Sequence, residues 1–386
     1  MSRFVEALER SFRKNIAYPL LRMIFRNPVS DAPVDLNHVS RILILRYDRI
    51  GDMIVTTPIL RTLKRQNPRI RLDVLASKAN AEIVSQSLFV DNLLILESNW
   101  LRLLRQIIHL RRQRYDVVLN FIFNRTTEPG ILANLVAPYG YKVGQGPDRY
   151  AFYFNRLVNV KRFEQPMLES YVSMIEQAFG MSVNREELAF EIAVAANSRH
   201  TVDEWLAKQS LHRRSQAKSP GLPYIVLNPS GKDEDRSLGT HQVAALAKSL
   251  SGKSQFRLVV LDAPGNAAMR QAIHVKDEFQ QSSVYRTLSS KPLGELASLI
   301  EGALLVVSPD TSIVHFASAM QTPVLAIYAP MNASQEWMPH KVPYDVVMAK
   351  VGQRISEIEP QVLIDGADRF IAQVLETNGA PSSELK

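Results

Sequence analysis

The chain has 386 residues, enough for two domains with substantial cores, and an ordinary soluble balance of 46% hydrophobic and 22% charged residues. It has no cysteine, which excludes disulfides and thiolate metal sites and suits a cytoplasmic protein. The net charge of +8 favours anionic partners: nucleotide phosphates, an acidic glycolipid, an anionic membrane surface or nucleic acid. No apolar stretch approaches the roughly 20 residues of a transmembrane helix, and charges interrupt the N-terminus too often for a secretory signal.

Residues 1–27 stand apart. Phe4, Leu8 and Phe12 share a helical face, which Leu20, Leu21, Ile24 and Phe25 continue. Six basic residues from Arg3 to Arg26 oppose only Glu6 and Glu9. A basic amphipathic helix of this kind either lies on an anionic membrane surface or docks on the protein's own body with its charges solvated. A proline-containing linker follows to Asn37. The apolar run Arg41–Arg46 then predicts a buried parallel strand, Tyr47–Gly51 a turn and Asp52–Lys64 a helix. Further strands are predicted at Arg71–Ala76, Asn92–Leu96 and Asp116–Phe123, with helices at Asn80–Gln86 and Trp100–Arg114. This alternation implies a parallel sheet with helices on both faces.

Residues 198–221 read as a polar helix ending in an exposed, basic, serine-rich connection, His212–Pro220. A second α/β series begins at Pro223–Leu227. It continues through helix His241–Leu250, strand Phe256–Leu261, helices Ala267–Glu278 and Pro292–Ile300, strand Ala303–Val307, a small-residue helix, and strand Pro323–Tyr328. The last helix, Glu359–Thr377, precedes a polar tail.

Four turns at strand ends collect polar residues. In the first, Arg46 to Asp52, Gly51 permits close backbone approach and Asp52 opens a helix; a carboxylate there can act as general base or simply cap the helix. Asp48 is expected to pair with Arg46 or Arg49. The second, Asn228 to Arg236, brings Ser230, Gly231, Lys232 and Arg236 together, cations suited to a diphosphate, although Asp233, Glu234 and Asp235 can neutralise them. The third begins at Asp262, able to accept from ribose hydroxyls or to serve as a turn former. The fourth, Ser308-Pro309-Asp310-Thr311-Ser312, opens a helix whose N-terminus is suited to a phosphate, with His315 one turn in. There is no GxGxxG after the first strand, no HExxH, no metal-ligand clustering of the eight histidines and no GxSxG. Aromatic residues are not interleaved with the basic runs, so no nucleic-acid partner is expected.

The first and fourth turns together resemble the heptosyltransferase family, glycosyltransferase family 9, of lipopolysaccharide core synthesis. The resemblance is carried by Ile42 to Arg46, Gly51-Asp52 and Pro58, and by Asp310-Thr311-Ser312-x-x-His315-x-Ala317-x-Ala319 followed by Pro323 and Tyr328-Ala329-Pro330. It implies an α/β GT-B fold, two Rossmann-like doubly wound domains facing across a cleft. The corresponding division is an N-terminal extension and linker, 1–40; an acceptor domain, 41–210; a donor-nucleotide domain, 222–358; and a helix and tail, 359–386. It implies inverting transfer of a heptose from ADP-heptose, with ADP as product and no required cofactor or metal, to a sugar hydroxyl of an anionic glycolipid at the inner face of the cytoplasmic membrane.

By motif position Asp52 matches the family's base. Asp310, Thr311 and His315 match the donor diphosphate region, and Arg236 or Lys232 a phosphate contact. Arg46, Asp48, Gly51 and Arg125 are acceptor-side candidates, and acceptor choice is expected in loops 124–129 and 141–149, where Arg125 and Lys142 would meet acceptor anions or remain solvated. Three departures stand out: Ser312 where the family has Gly, Asp262 where Gly is common, and the basic extension. The rival readings are a GT-B transferase or epimerase using another nucleotide sugar, and a non-catalytic assembly protein.

Overall fold

The computed structural model describes residues 18–25, 27–123, 127–216, 219–231, 233–262, 283–286, 292–330 and 332–379. Arg125, Lys232, the expected helix Ala267–Glu278, the tail and the N-terminal positions through residue 17 lie outside these residues.

Among the described residues, twelve strands form two parallel six-stranded sheets. The first contains β1 (Arg41–Arg46), β2 (Arg71–Ala76), β3 (Asn92–Ile95), β4 (Val117–Asn120), β5 (Tyr141–Gln145) and β6 (Arg156–Val158), ordered 3-2-1-4-5-6. The second contains β7 (Tyr224–Leu227), β8 (Arg257–Asp262), β9 (Ser283–Arg286), β10 (Val306–Pro309), β11 (Val324–Tyr328) and β12 (Tyr344–Met348), ordered 9-8-7-10-11-12. Each order reverses once, between β1 and β4 and between β7 and β10. In open α/β sheets the crevice at such a reversal, outside the strands' carboxyl ends, is where ligands bind. The turns singled out after β1, β7 and β10 all sit at these two reversals.

The helices are α1 (Tyr18–Ile24), α2 (Ile50–Gln66), α3 (Trp100–Arg112), α4 (Thr127–Val136), α5 (Met167–Phe179), α6 (Ala196–Lys208), α7 (Thr240–Ser251), α8 (Leu293–Gly302), α9 (Ser312–Ala319) and α10 (Pro360–Gly379). β1 is apolar throughout its middle because helices cover both faces of the sheet. α2 and α5 pack on one face, α3 and α4 on the other. α7 and α10 close the outer face of the second sheet, with Leu363, Phe370 and Val374 of α10 buried there. One apolar cluster runs continuously from β1 through α2 and α9 to β7, joining the two sheets. A half-buried ion pair also spans them: Arg162 Nε lies 2.7 Å from the fully buried Glu336 carboxylate, which accepts from the Phe163 N–H as well.

Several expectations need correction. The turn Tyr47–Gly51 is shorter than predicted, because α2 begins at Ile50 with Arg49 as its N-cap; Asp52 lies in the first turn and caps nothing. Asn80–Gln86 is a single 3-10 turn, Ala81–Val84. The segment 141–149 is not a loop but β5 followed by the 3-10 turn Asp148–Tyr153. Lys142 is buried on β5, where its amine donates to the Ala137 and Gly140 carbonyls, at 3.0 and 2.6 Å, and burial lowers its pKa to about 8. It is therefore neither an acceptor contact nor a solvated cation. The connection His212–Pro220 begins inside the protein: Arg213 is buried, pairing with Asp203 and donating to the Ser298 carbonyl.

The described part of the N-terminal extension is docked on one side and open on the other. Tyr18, Leu21 and Phe25 pack against the Phe152–Tyr153–Phe154 cluster, and the Tyr18 and Thr127 hydroxyls are 3.2 Å apart. Leu20, Met23 and Ile24 stay exposed. The apolar surface read as continuous is thus split between two faces of α1.

Candidate active site in the cleft between the sheets

A cleft of about 750 Å³ lies where the two sheet reversals face each other, a size ordinary for a small-molecule site. Its walls include Asp48, Arg49, Gly51 and Asp52 from the first sheet, and Asn228, Ser230, Gly231, Arg236, Asp310, Thr311, Ser312 and His315 from the second.

On the first wall the residues are organised by a buried cation. Arg46 is fully buried at the end of β1. Its Nε donates to the Asp52 carbonyl at 3.1 Å and the Thr56 hydroxyl at 2.9 Å. One terminal nitrogen reaches Asp48 at 3.1 Å and the Phe121 carbonyl; the other reaches the Tyr171 hydroxyl and, at 3.5 Å, the Asp52 carboxylate. Burial works against its charge, but Asp48, Tyr171 and Asp52 together hold its pKa above the ordinary arginine value. The expectation that Arg46 contacts an acceptor is therefore corrected: every arm of the guanidinium is engaged inside the protein, and Arg46 is not among the residues lining the cleft.

What Arg46 does is position Asp52. That carboxylate is only 6% exposed yet lines the cleft. Burial pushes its pKa up to about 6, against the opposing pull of Arg46. A carboxylate of this kind is ionised at neutral pH and basic enough to take a proton. The local backbone supports it. Pro58 removes the N–H that would bond the Ile54 carbonyl, and the Thr57 hydroxyl takes that carbonyl at 2.7 Å, so the helix stays intact.

The second wall is built around the N-terminus of α9. Thr311 is its N-cap, accepting from the Ile313 N–H at 3.2 Å, and Ser312 is the first helical residue, whose N–H has no partner within the helix. Asn228 ties β7 to β10: its side-chain nitrogen lies 3.0 Å from the Ser308 hydroxyl and 3.2 Å from that of Thr311. Arg236 pairs with Asp310 at 3.2 Å, which holds the guanidinium beside the helix N-terminus and offsets the Asp310 charge there. Gly231 belongs to this wall for a steric reason, since a Cβ would fall 2.1 Å from the Arg236 carbonyl oxygen. Leu261, Tyr285, Leu293 and Leu296 add a largely apolar end of the cleft, which also holds Glu295, whose carboxylate accepts from the Tyr285 hydroxyl at 2.9 Å.

The walls meet at Gly51. A Cβ there would lie 2.9 Å from His315 Cδ2 and 3.6 Å from Ser312 Cα, so glycine lets the first turns of α2 and α9 touch. His315 packs edge-on against Phe190 and Trp337, and burial lowers its pKa to about 4, leaving it neutral at physiological pH. Its Nδ1 finds no hydrogen-bond partner among the described residues. Among those residues no group of His, Asp and Glu is arranged to hold a metal ion.

The sequence model of glycosyltransferase family 9 (heptosyltransferase) matches residues 101–359, more than half of the chain. The chain belongs to glycosyltransferase family 9. Lipopolysaccharide heptosyltransferase 3 of Escherichia coli is 21% identical over 72% of this chain and 80% of its own length. The fold is that of a family 9 glycosyl transferase from Veillonella parvula, with a TM-score of 0.72 at 16% identity over 89% of this chain and all of that one. It is also that of E. coli ADP-heptose heptosyltransferase II, with a TM-score of 0.68 at 19% identity over 86% and 99% of the two chains. This is the expected two-sheet GT-B architecture, and family 9 membership makes the chain a glycosyltransferase. The family match starts downstream of Asp52, so the assignment of Asp52 stands on the cleft itself.

Of the expected site residues, the cleft of this family 9 chain gathers Asp48, Gly51, Asp52, Ser230, Gly231, Arg236, Asp310, Thr311, Ser312 and His315. Asp262 is buried at the end of β8, and its neighbour Leu261 rather than Asp262 lines the cleft among the described residues. Tyr171, Thr56, Asn228, Arg162 and Trp337 were missed. Each is brought to the site by the fold from an unremarkable sequence context; only Asn228, at a strand end before Pro229, carried a local signal. Gly51→Ala is expected to lower kcat/KM for sugar transfer by roughly tenfold to a hundredfold, because the added methyl must push the α9 wall away from the α2 wall. Steady-state kinetics beside an unchanged circular dichroism spectrum check this.

Proposed function

We propose that this family 9 glycosyltransferase moves a heptose from ADP-heptose to a sugar hydroxyl of the lipopolysaccharide core or a related glycolipid, inverting the anomeric centre. The observation that carries the reading is the opposition across one cleft of Asp52, a buried carboxylate with its pKa raised to about 6, and the N-terminus of α9 flanked by Arg236. Its similarity to lipopolysaccharide heptosyltransferase 3 and ADP-heptose heptosyltransferase II supports the donor and acceptor class. The first sheet and its helices, residues 41–210, are assigned to the acceptor, and residues 222–358 to the donor nucleotide.

Asp52 accepts the proton of the acceptor hydroxyl as its oxygen bonds to the anomeric carbon. The bond from that carbon to the diphosphate oxygen breaks, and ADP leaves with the electron pair. The growing negative charge meets the α9 N-terminus at Thr311 and Ser312 and the Arg236 guanidinium. Neutral His315 adds no charge of its own to this wall. Ser230 and Gly231 border the diphosphate, and the apolar end at Tyr285, Leu293 and Leu296 receives the base. The enzyme works at the inner face of the cytoplasmic membrane, where the exposed side of α1 and the basic residues before it favour an anionic surface.

Calorimetry with ADP, UDP and GDP tests the donor assignment. ADP is expected to bind most tightly, and Arg236→Ala to weaken it by roughly tenfold to a hundredfold, the value of a charge-assisted hydrogen bond to phosphate. Tighter binding of UDP than ADP, or an unchanged ADP affinity in Arg236→Ala, would count against this arrangement.

A further inference from the structure

α3 covers the sheet with only part of its apolar surface. Leu110 is buried and Leu103 and Ile107 are half-buried, but Trp100, Leu101, Leu104 and Ile108 are exposed at 70%, 48%, 50% and 45%. Trp100, Leu104 and Ile108 are spaced four apart and form one stripe along the helix. Arg105 and Arg112 are exposed beside the stripe and Arg111 continues it, Arg102 is exposed further round the helix and Arg114 just past its end, and no acidic residue occurs between Glu97 and Asp116. Single exposed apolar side chains need no explanation, whereas a contiguous stripe bordered by one sign of charge marks an interaction surface. The same layer repeats the feature. α4 lies against α3 and against the Asp148–Tyr153 turn on which α1 rests, and Leu135 of α4 and Leu20, Met23 and Ile24 of α1 are also exposed.

Charge selects the occupant. A second copy packed face to face would oppose these arginines to one another with no acid between them. Residues 1–17 carry Arg3, Arg10, Arg13 and Lys14 against Glu6 and Glu9, the same sign as α3. An anionic bilayer suits both halves of the surface: headgroup phosphates for the arginines, and the acyl boundary for Trp100, Leu104 and Ile108. We infer that the exposed face of α3 is a membrane-docking surface, lying on anionic lipid so that the first sheet, assigned above to the acceptor, is held at the bilayer. The inference rests on the reading of a lipid-linked acceptor only for the benefit of docking.

The full-length protein is sedimented with phosphatidylcholine vesicles, with and without phosphatidylglycerol, at low and high salt. Wild type is expected to partition onto the phosphatidylglycerol vesicles and to be released by salt. Arg102→Gln/Arg105→Gln/Arg112→Gln and Trp100→Ser/Leu104→Ser/Ile108→Ser, all at exposed positions, are each expected to lower partitioning at least about tenfold. Both should leave turnover of a water-soluble acceptor fragment unchanged. Wild-type partitioning by either triple variant, equal binding of wild type to both vesicle types, or a dimer in sedimentation velocity that the α3 variants dissolve would each overturn the inference. Vesicle binding that survives while ADP-heptose is not turned over would remove the proposed donor and leave this surface standing.

Discussion

Asp52→Asn is expected to fold as wild type does and to lose about 10²–10⁴-fold in kcat/KM at neutral pH, the usual contribution of a positioned general base. Asparagine keeps the shape of the side chain and can still meet Tyr171 and Arg46, so the walls of the cleft stay in place. What it cannot do is accept a proton. With the donor diphosphate proposed at the α9 wall, the ADP affinity should be nearly unchanged. That split between lost turnover and retained ADP binding separates loss of a base from collapse of the site. Near-wild-type turnover in a folded Asp52→Asn protein would mean that another group takes the proton.

The largest stability effect is expected at Arg46. Arg46→Met strands Asp48 and Asp52 beside each other in a buried setting and leaves the Tyr171 hydroxyl and the Phe121 carbonyl without their donor. Removing one partner of a buried charge network costs about 3–5 kcal/mol, and thermal melting should fall by several degrees or more. The loss should be coupled to Asp52. In the Arg46→Met/Asp52→Asn protein the carboxylate that lost its cation is no longer charged, so the double variant should recover at least about 1 kcal/mol relative to the sum of the single losses. Simple additivity would show that Arg46 supports the wall by packing alone, and its description as the group that positions Asp52 would be wrong.

Much of the architecture was legible because parallel strands buried on both faces read as unbroken apolar runs. β1, β7 and β11 are of this kind, and the polar turns after β1, β7 and β10 stood out against them. β5 was not legible: Tyr141-Lys142-Val143-Gly144-Gln145 carries a lysine that its own turn carbonyls satisfy and a glycine that makes room for the Phe154 ring. β12, with Asp345 inside it, failed for a similar reason, since its edge position tolerates an acid that pairs with Arg369. At the site, the value of Gly51 as a place of close approach was visible, but not that His315 is what approaches. Arg46 was misassigned because a cation after an apolar strand looks the same whether it turns outward or is swallowed by Asp48, Asp52 and Tyr171. Those partners are over a hundred residues apart in part, and only the fold brings Tyr171 to Asp52. The pairing of Gly51-Asp52 with the Asp310 to His315 segment carried further than either motif, and their contact across the cleft supplies the physical reason.

Asp52 is the proposed base, with its pKa set by burial against the pull of Arg46. The decisive test of this role is the pH dependence of kcat/KM for transfer from ADP-heptose to a core acceptor, in wild type and Asp52→Asn. A base must be deprotonated to act, so the wild-type rate is predicted to be lost as pH falls through an apparent pKa of about 6 and to level off above it, while Asp52→Asn stays low without that limb. A wild-type rate that stays level well below pH 6, or the same limb retained in Asp52→Asn, would mean that Asp52 is not the base.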